Sequence, residues 1–169
     1  EFVRHDIDIL PTWEDIKSRL HRTPRETGRL IRKYGLSYRI SNDQKDFQFF
    51  YYRMYLPHIR KQYGDLAAIE SYEEMAPFFA KGFLLLVEEK NQTIVGSLCL
   101  MDKNVLTYRR MGVLDGDEIY IRKGGQMAIF YFSLHLAIDQ KMQKFDLMKS
   151  QAFLNDGVYR HKRGWGAKV

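Results

Sequence analysis

Three dense apolar runs, Phe83 to Glu88, Ile94 to Met101 and Val105 to Val113, follow one another with only a few polar residues between them. Bounded by Lys90-Asn91-Gln92-Thr93 and Asp102-Lys103-Asn104, they read as strands. Connections this short return the chain antiparallel, because a parallel neighbour needs a crossover of a dozen residues or more. A three-stranded meander is therefore the expected centre of the molecule. Its cover is legible too. From about Gln126 to Met142, the residues Met127, Ile129, Phe130, Tyr131, Phe132, Leu134, Leu136 and Ile138 surround a helix almost completely, so it should lie buried against the sheet.

Around this centre, Ile7, Ile9 and Leu10 suggest a short strand, and Thr12 caps a helix with Ile16 and Leu20 on its buried side. A second helix runs from about Pro24 to Tyr34 and is closed by Gly35. Between Lys17 and Arg39 lie Arg19, Arg22, Arg25, Arg29, Arg32 and Lys33 against the single acid Glu26, the most basic region of the chain. Ser41 to Asp46 reads as a polar connection. Phe47, Phe50, Tyr51, Met54 and Tyr55 then recur at helical spacing up to Tyr63 and Gly64, with Pro57 implying a kink or break. Ser71-Tyr72-Glu73-Glu74 opens a shorter helix in capping-box form, ended after Lys81 by Gly82. Gly96 marks a bulge, a close backbone approach or a residue near a turn. A polar loop from Asp115 to Gly125, a strand from Phe145 to Met148 and a glycine-rich tail complete the pattern. The expected division is residues 1–40, a strand with basic helices, and residues 41–169, the main domain, acting together as one compact unit.

Composition narrows the function classes. A single cysteine, Cys99, sits inside an apolar run, so a disulfide framework and a multi-cysteine metal site are not expected, and a reducing, cytoplasmic setting is. No apolar stretch approaches the roughly 20 residues that span a bilayer, so a soluble protein without a membrane span is expected. The net charge of +6 favours anionic partners. Cys99 reads as a small core residue and His135 as a hydrogen-bonded core histidine, while His58 and His161 fall on polar segments without a second histidine at ligand spacing.

The segment Asp156-Gly157-Val158-Tyr159-Arg160-His161-Lys162-Arg163-Gly164-Trp165-Gly166 packs two aromatics, four basic residues and three glycines just beyond the last expected strand. Strand carboxyl ends are where open sheets bind ligands. With Ala167, this tail resembles the Tyr-x-Phe-Lys-x-x-Trp/Phe-Gly-Ala ending of Fem-type aminoacyltransferases and of their BioF2-like acetyltransferase relatives. Phe50-Tyr51-Tyr52-Arg53-Met54-Tyr55 is similar to the family's Phe-Tyr-x-Leu-Tyr helix, and Phe145-Asp146-Leu147 to its Phe-Asp-Leu/Phe-Gly strand. The resemblance implies an α+β, GNAT-like acyl-CoA N-acyltransferase fold, with a central mixed, mostly antiparallel sheet and helices on both faces. Full Fem-type proteins carry two such halves, and this chain has room for one, so a fragment or reduced relative is expected. His161 stands where the family has an aromatic, and Met148-Lys149 where it has glycines.

The implied activity is transfer of an acyl group from acyl-CoA, or of an aminoacyl group from aminoacyl-tRNA, to an amine, with no metal. GNAT enzymes hold a pyrophosphate on a Gln/Arg-x-x-Gly-x-Gly/Ala turn. Arg122, Lys123, Gly124, Gly125 and Gln126 are the matching anion site, with Met127 in the last small position. Tyr159 is the expected proton donor, Lys162 the charge that holds a phosphate or stabilises developing negative charge, and Asp146 the candidate base. Tyr108, Arg160, His161 and Trp165 complete the expected substrate site, Trp165 as a plug beneath it. A non-catalytic reading stays open. The basic helices can grip RNA or another nucleic acid, with Tyr38 or Tyr108 exposed to stack on bases, or a degenerate domain can simply contact a partner.

Overall fold

The structure, a computed structural model, describes residues 2–20, 22–151 and 157–169, and the side chains at 150, 151 and 157–159 lie outside that description. The strands are β1 (Phe2–Asp8), β2 (Leu36–Ser41), β3 (Phe83–Glu89), β4 (Gln92–Asp102), β5 (Val105–Val113) and β6 (Lys144–Gln151). They form one sheet in the order β1-β6-β5-β4-β3-β2, antiparallel everywhere except between β5 and β6. The helices are α1 (Trp13–Leu20), α2 (Arg22–Tyr34), α3 (Gln44–Phe49), α4 (Leu56–Tyr63), α5 (Tyr72–Lys81), α6 (Glu118–Arg122), α7 (Gly125–Asp139) and α8 (Gly157–Gly164). A π-helical segment, Phe50–Tyr55, joins α3 to α4.

The alternation of side chains along a strand sends neighbours to opposite cores. Phe83, Leu85 and Val87 join Ile16, Ala128, Ile129, Leu134 and Trp165 on one face, under α1, α2 and α7. Leu84 and Leu86 join Phe47, Phe50, Met54, Met75 and Phe79 on the other, under α3, the π segment and α5. The meander forms as expected, on tighter turns. Lys90-Asn91 and Lys103-Asn104 all have positive φ (48°, 64°, 46° and 67°), the two-residue left-handed turn that matches strand twist, so β4 begins already at Gln92.

Other differences have local causes. β2 was not anticipated. It is an edge strand on β3, held where Arg39 donates from Nε to Glu88 at 2.6 Å and from Nη1 to Asp46 at 2.6 Å. The expected boundary at residues 40 and 41 falls inside it, and both sheet edges come from the chain before Asn42. Pro57 does not break its helix. The Leu56 amide reaches back five residues to the Tyr51 carbonyl, and this widened turn accommodates a ring that has no N–H to give. α6 occupies the expected loop, capped by Asp117, whose side chain accepts from the Ile119 amide. α7 stops at Asp139 because Lys141 turns left-handed (φ 55°), letting the Met142 amide bond the Ala137 carbonyl at 2.8 Å. Thr12, Gly35 and the Ser71/Glu74 capping box act as the sequence indicates.

Candidate functional site

Among the described residues, β5–β6 is the one parallel pair of the sheet. It is in register only over Val105–Thr107 opposite Lys144–Asp146, and β5 then continues to Val113 without β6 beside it. A cavity of about 650 Å³ opens there. Tyr55, His58 and Ile59 line it from one face of the sheet, Phe130 of α7 with His161 and Lys162 of α8 from the other, and Tyr108, Arg110 and Met111 from β5 itself.

A β-bulge shapes the β5 wall. Leu98 pairs with Arg110 and Cys99 with Tyr108, leaving Arg109 as the extra residue. The bulge brings two consecutive arginines to one carboxylate. Arg109 donates to both oxygens of Glu70 at 2.7 Å, with its guanidinium 3.5 Å above the Phe78 ring, and Arg110 Nε lies 2.9 Å from the same Glu70. Burial pushes the Glu70 carboxyl up, but the Arg109 hydrogen bonds and the two positive charges outweigh it and hold its pKa below the usual value.

On α8, Lys162 is only 3% exposed, and its Nζ donates to the Met148 and Lys149 carbonyls at 3.1 Å each. Asp146 prepares those acceptors. It takes the Met148 amide at 2.9 Å, beside a left-handed Met148 (φ 61°), and also pairs with Arg4, so it faces β1 and does not line the cavity. His161 stands edge-on to Phe130, with ring centroids 4.6 Å apart, and burial, with Lys162 adding to it, pushes its pKa down to about 4. Its imidazole is therefore neutral at pH 7, and Nε2 has no partner among the described residues. Trp165 is fully buried and stacked behind Phe130, off the cavity wall. Arg160 is exposed and does not line the cavity either. The backbone of Tyr159 lies in α8, but its side chain is outside the described residues.

The loop before α7 is bound up with the fold. Lys123 Nζ sits 2.9 Å from both oxygens of Glu89, and Arg122 reaches Glu118 at 3.2 Å. Gly124 is left-handed (φ 88°), and a Cβ on Gly125 would meet Val95 at 2.6 Å and the Tyr120 carbonyl at 2.9 Å, so packing alone requires glycine at both. Gln126, at the start of the helix, does line the cavity.

Neither Tyr38 nor Tyr108 is exposed for base stacking, which corrects the expectation. Tyr38 stacks on Phe132 at 4.7 Å, and Tyr108 tilts against Phe130 at 5.1 Å with its phenol pKa pushed up by burial. Burial also raises the Cys99 thiol to about 12, which leaves it unsuited as a nucleophile. His135 packs on Trp13 at 4.0 Å, and its Nε2 lacks a hydrogen-bond partner among the described residues. Those residues hold no cluster of three or more metal-ligating side chains. Sequence reasoning missed Glu70, Arg109, Arg110 and Tyr55. The signal for the arginines was present: two consecutive charges inside an apolar strand defy its alternation and indicate a bulge.

No family model matches the sequence, and no curated protein matches it either. Solved structures do match. The crystal structure of FemX superposes with a TM-score of 0.74 at 12% identity, covering 98% of this chain and 58% of FemX. L-PGS from Bacillus licheniformis gives 0.62 at 8% identity, and the C-terminal domain of a proposed lysylphosphatidylglycerol synthetase from Agrobacterium fabrum gives 0.66 at 11%, each covering 99% of this chain and 58% of the other. The chain thus spans a little over half the length of these proteins. The six-stranded mixed sheet with its single splayed parallel pair is the GNAT-like fold that it shares with them.

Proposed function

We propose that the chain is a transferase domain that moves an acyl or aminoacyl group onto an amine inside the β5–β6 cavity. The observation that carries this reading is the splay itself. Two parallel strands part after three register pairs, and the cavity along the rest of β5 is lined by residues of both sheet faces, so a donor and an acceptor can meet across the sheet. The fold shared with FemX and with lysylphosphatidylglycerol synthetases supports it.

In the reaction, the amine lone pair attacks the donor carbonyl carbon, the tetrahedral centre collapses with loss of the thiolate or ribose alkoxide, and the amine proton departs. Lys162 supplies fixed positive charge at the cavity wall, anchored by the β6 carbonyls that Asp146 positions. Gln126 and the first amides of α7 face the donor phosphates, with acyl-CoA or aminoacyl-tRNA as donor. Tyr159 protonates the leaving group, and Tyr108 and His161 shape the acceptor end.

The test is transfer of a radiolabelled group from acetyl-CoA or aminoacyl-tRNA to an amine, with binding measured in parallel. Tyr159→Phe should lower turnover more than binding, and Lys162→Met, which keeps the buried stem, should weaken both. Absence of turnover and of binding with either donor would end the enzyme reading.

One observation favours an RNA-borne donor. Arg25, Arg29 and Arg32 project from α2 at one-turn spacing, are exposed, and have no carboxylate partner among the described residues. Neutralising all three should reduce RNA affinity and flatten its salt dependence, by a slope of about 2 to 3. An unchanged slope would leave α2 as a solvated face.

A further inference from the structure

Charge does not balance on the β5 wall. Arg109 satisfies Glu70 by itself, with Nη1 and Nη2 each 2.7 Å from one carboxylate oxygen and both side chains only 11% exposed. Arg110 is the surplus cation. Its Nε shares Glu70 at 2.9 Å and its Nη1 donates to the Arg109 carbonyl at 2.8 Å, which fixes the plane of the guanidinium. Nη2, and the second hydrogen of Nη1, have no partner among the described residues. The side chain is 35% exposed and lines the cavity. On the same wall Lys61 has no carboxylate partner among the described residues, and the acid Glu118 is committed to Arg122. A guanidinium held at one edge and open at the other, facing a partly desolvated space, matches the two-oxygen geometry of a carboxylate or phosphate.

We propose that the β5 bulge builds an oxyanion receptor in which Arg110, oriented by Glu70 and the Arg109 carbonyl, binds a carboxylate or phosphate ester carried by a molecule entering the cavity. The inference rests on the transfer reading for its biological meaning, since it makes one substrate anionic near the splay. This receptor sits on β5, distinct from the helix terminus that faces the donor phosphates.

The receptor is tested by following backbone amides of the isotope-labelled chain by NMR while methyl phosphate or acetate is added. Saturable shifts at Arg110 and Met111 are expected with at least one of the two, and which one produces them tells a phosphate ester from a carboxylate. Arg110→Gln should weaken that binding about tenfold or more. Because Glu70 keeps its bidentate partner Arg109, this variant should fold, which the same spectrum checks. Arg53→Gln removes an equal charge from the exposed Arg53–Asp115 pair and should leave the affinity unchanged. No saturable shift with either anion, an unaffected Arg110→Gln, or an equal loss in Arg53→Gln would overturn the receptor. Binding is read without turnover, so a chain that binds the anion and transfers nothing loses the transfer reading and keeps the receptor.

Discussion

Gly112 carries more of the architecture than its size suggests. It pairs with Gly96 across β4 and β5, and a Cβ there would stand 2.5 Å from the carbonyl carbon of Met54 and the amide nitrogen of Tyr55. Backbone atoms cannot rotate aside as a side chain would, so the π segment rests directly on β5. Gly112→Ala should therefore destabilise the fold by about 3 kcal/mol or more in urea unfolding, far beyond an ordinary surface change. His161 gives a second prediction. Its pKa falls from 6.5 in the unfolded chain to about 4 in the fold, so its contribution to stability is full above pH 6.5 and lost as pH drops towards 4. At about 1.4 kcal/mol per unit the loss is on the order of 3 kcal/mol, and His161→Phe, which keeps the contact with Phe130, should flatten that part of the stability–pH profile. His5, His58 and His135 are also pushed down by burial, so the profile should flatten without becoming level. At this scale the sequence was half legible. It singled out Lys162, His161 and Tyr108, all of which line the cavity, because basic and aromatic residues cluster after a strand. Arg122, Lys123 and the two glycines read as an anion site, and a tightly packed helix start calls for glycines at the same positions.

Elements with strong local signals form as read, and those that depend on distant partners do not announce themselves. Ser71 and Glu74 satisfy each other's helix-end amides at 3.1 and 2.7 Å, so Ser71→Ala should cost about 1 kcal/mol in thermal or chemical unfolding. The loss has a second consequence. Glu70, immediately before this cap, is where Arg109 and Arg110 converge, and its amide donates to the Tyr55 hydroxyl at 3.0 Å, so loosening α5 loosens the cavity wall. The meander and α7 were legible because each is apolar enough to be unambiguous. β2 was not, because Leu36-Ser37-Tyr38-Arg39-Ile40-Ser41 is steadied by Glu88 and Asp46, which no local window contains together. The π segment was hidden for a related reason: helical periodicity continues through it, and only the bonding partner of Leu56 reveals the extra residue.

For the whole molecule, the fold could be read from the order of elements and the tail, whereas the cavity could not, because it is a space left between strands. Among the described residues no helix is long and apolar enough to cross a membrane. The partial pairing of β5 with β6 has a mechanical consequence. Six register pairs join β6 to β1, and only three join it to β5, so the sheet is two unequal panels on a short seam. Proteins open in cooperative pieces along their weakest boundaries. In native-state hydrogen exchange, the amides of β1 and β6 should thus be released together, at a lower opening free energy than those of β3, β4 and β5. Uniform protection across all six strands would show that Trp165, Phe145 and Leu147, packed into the core beneath α7, weld the panels into a single unit.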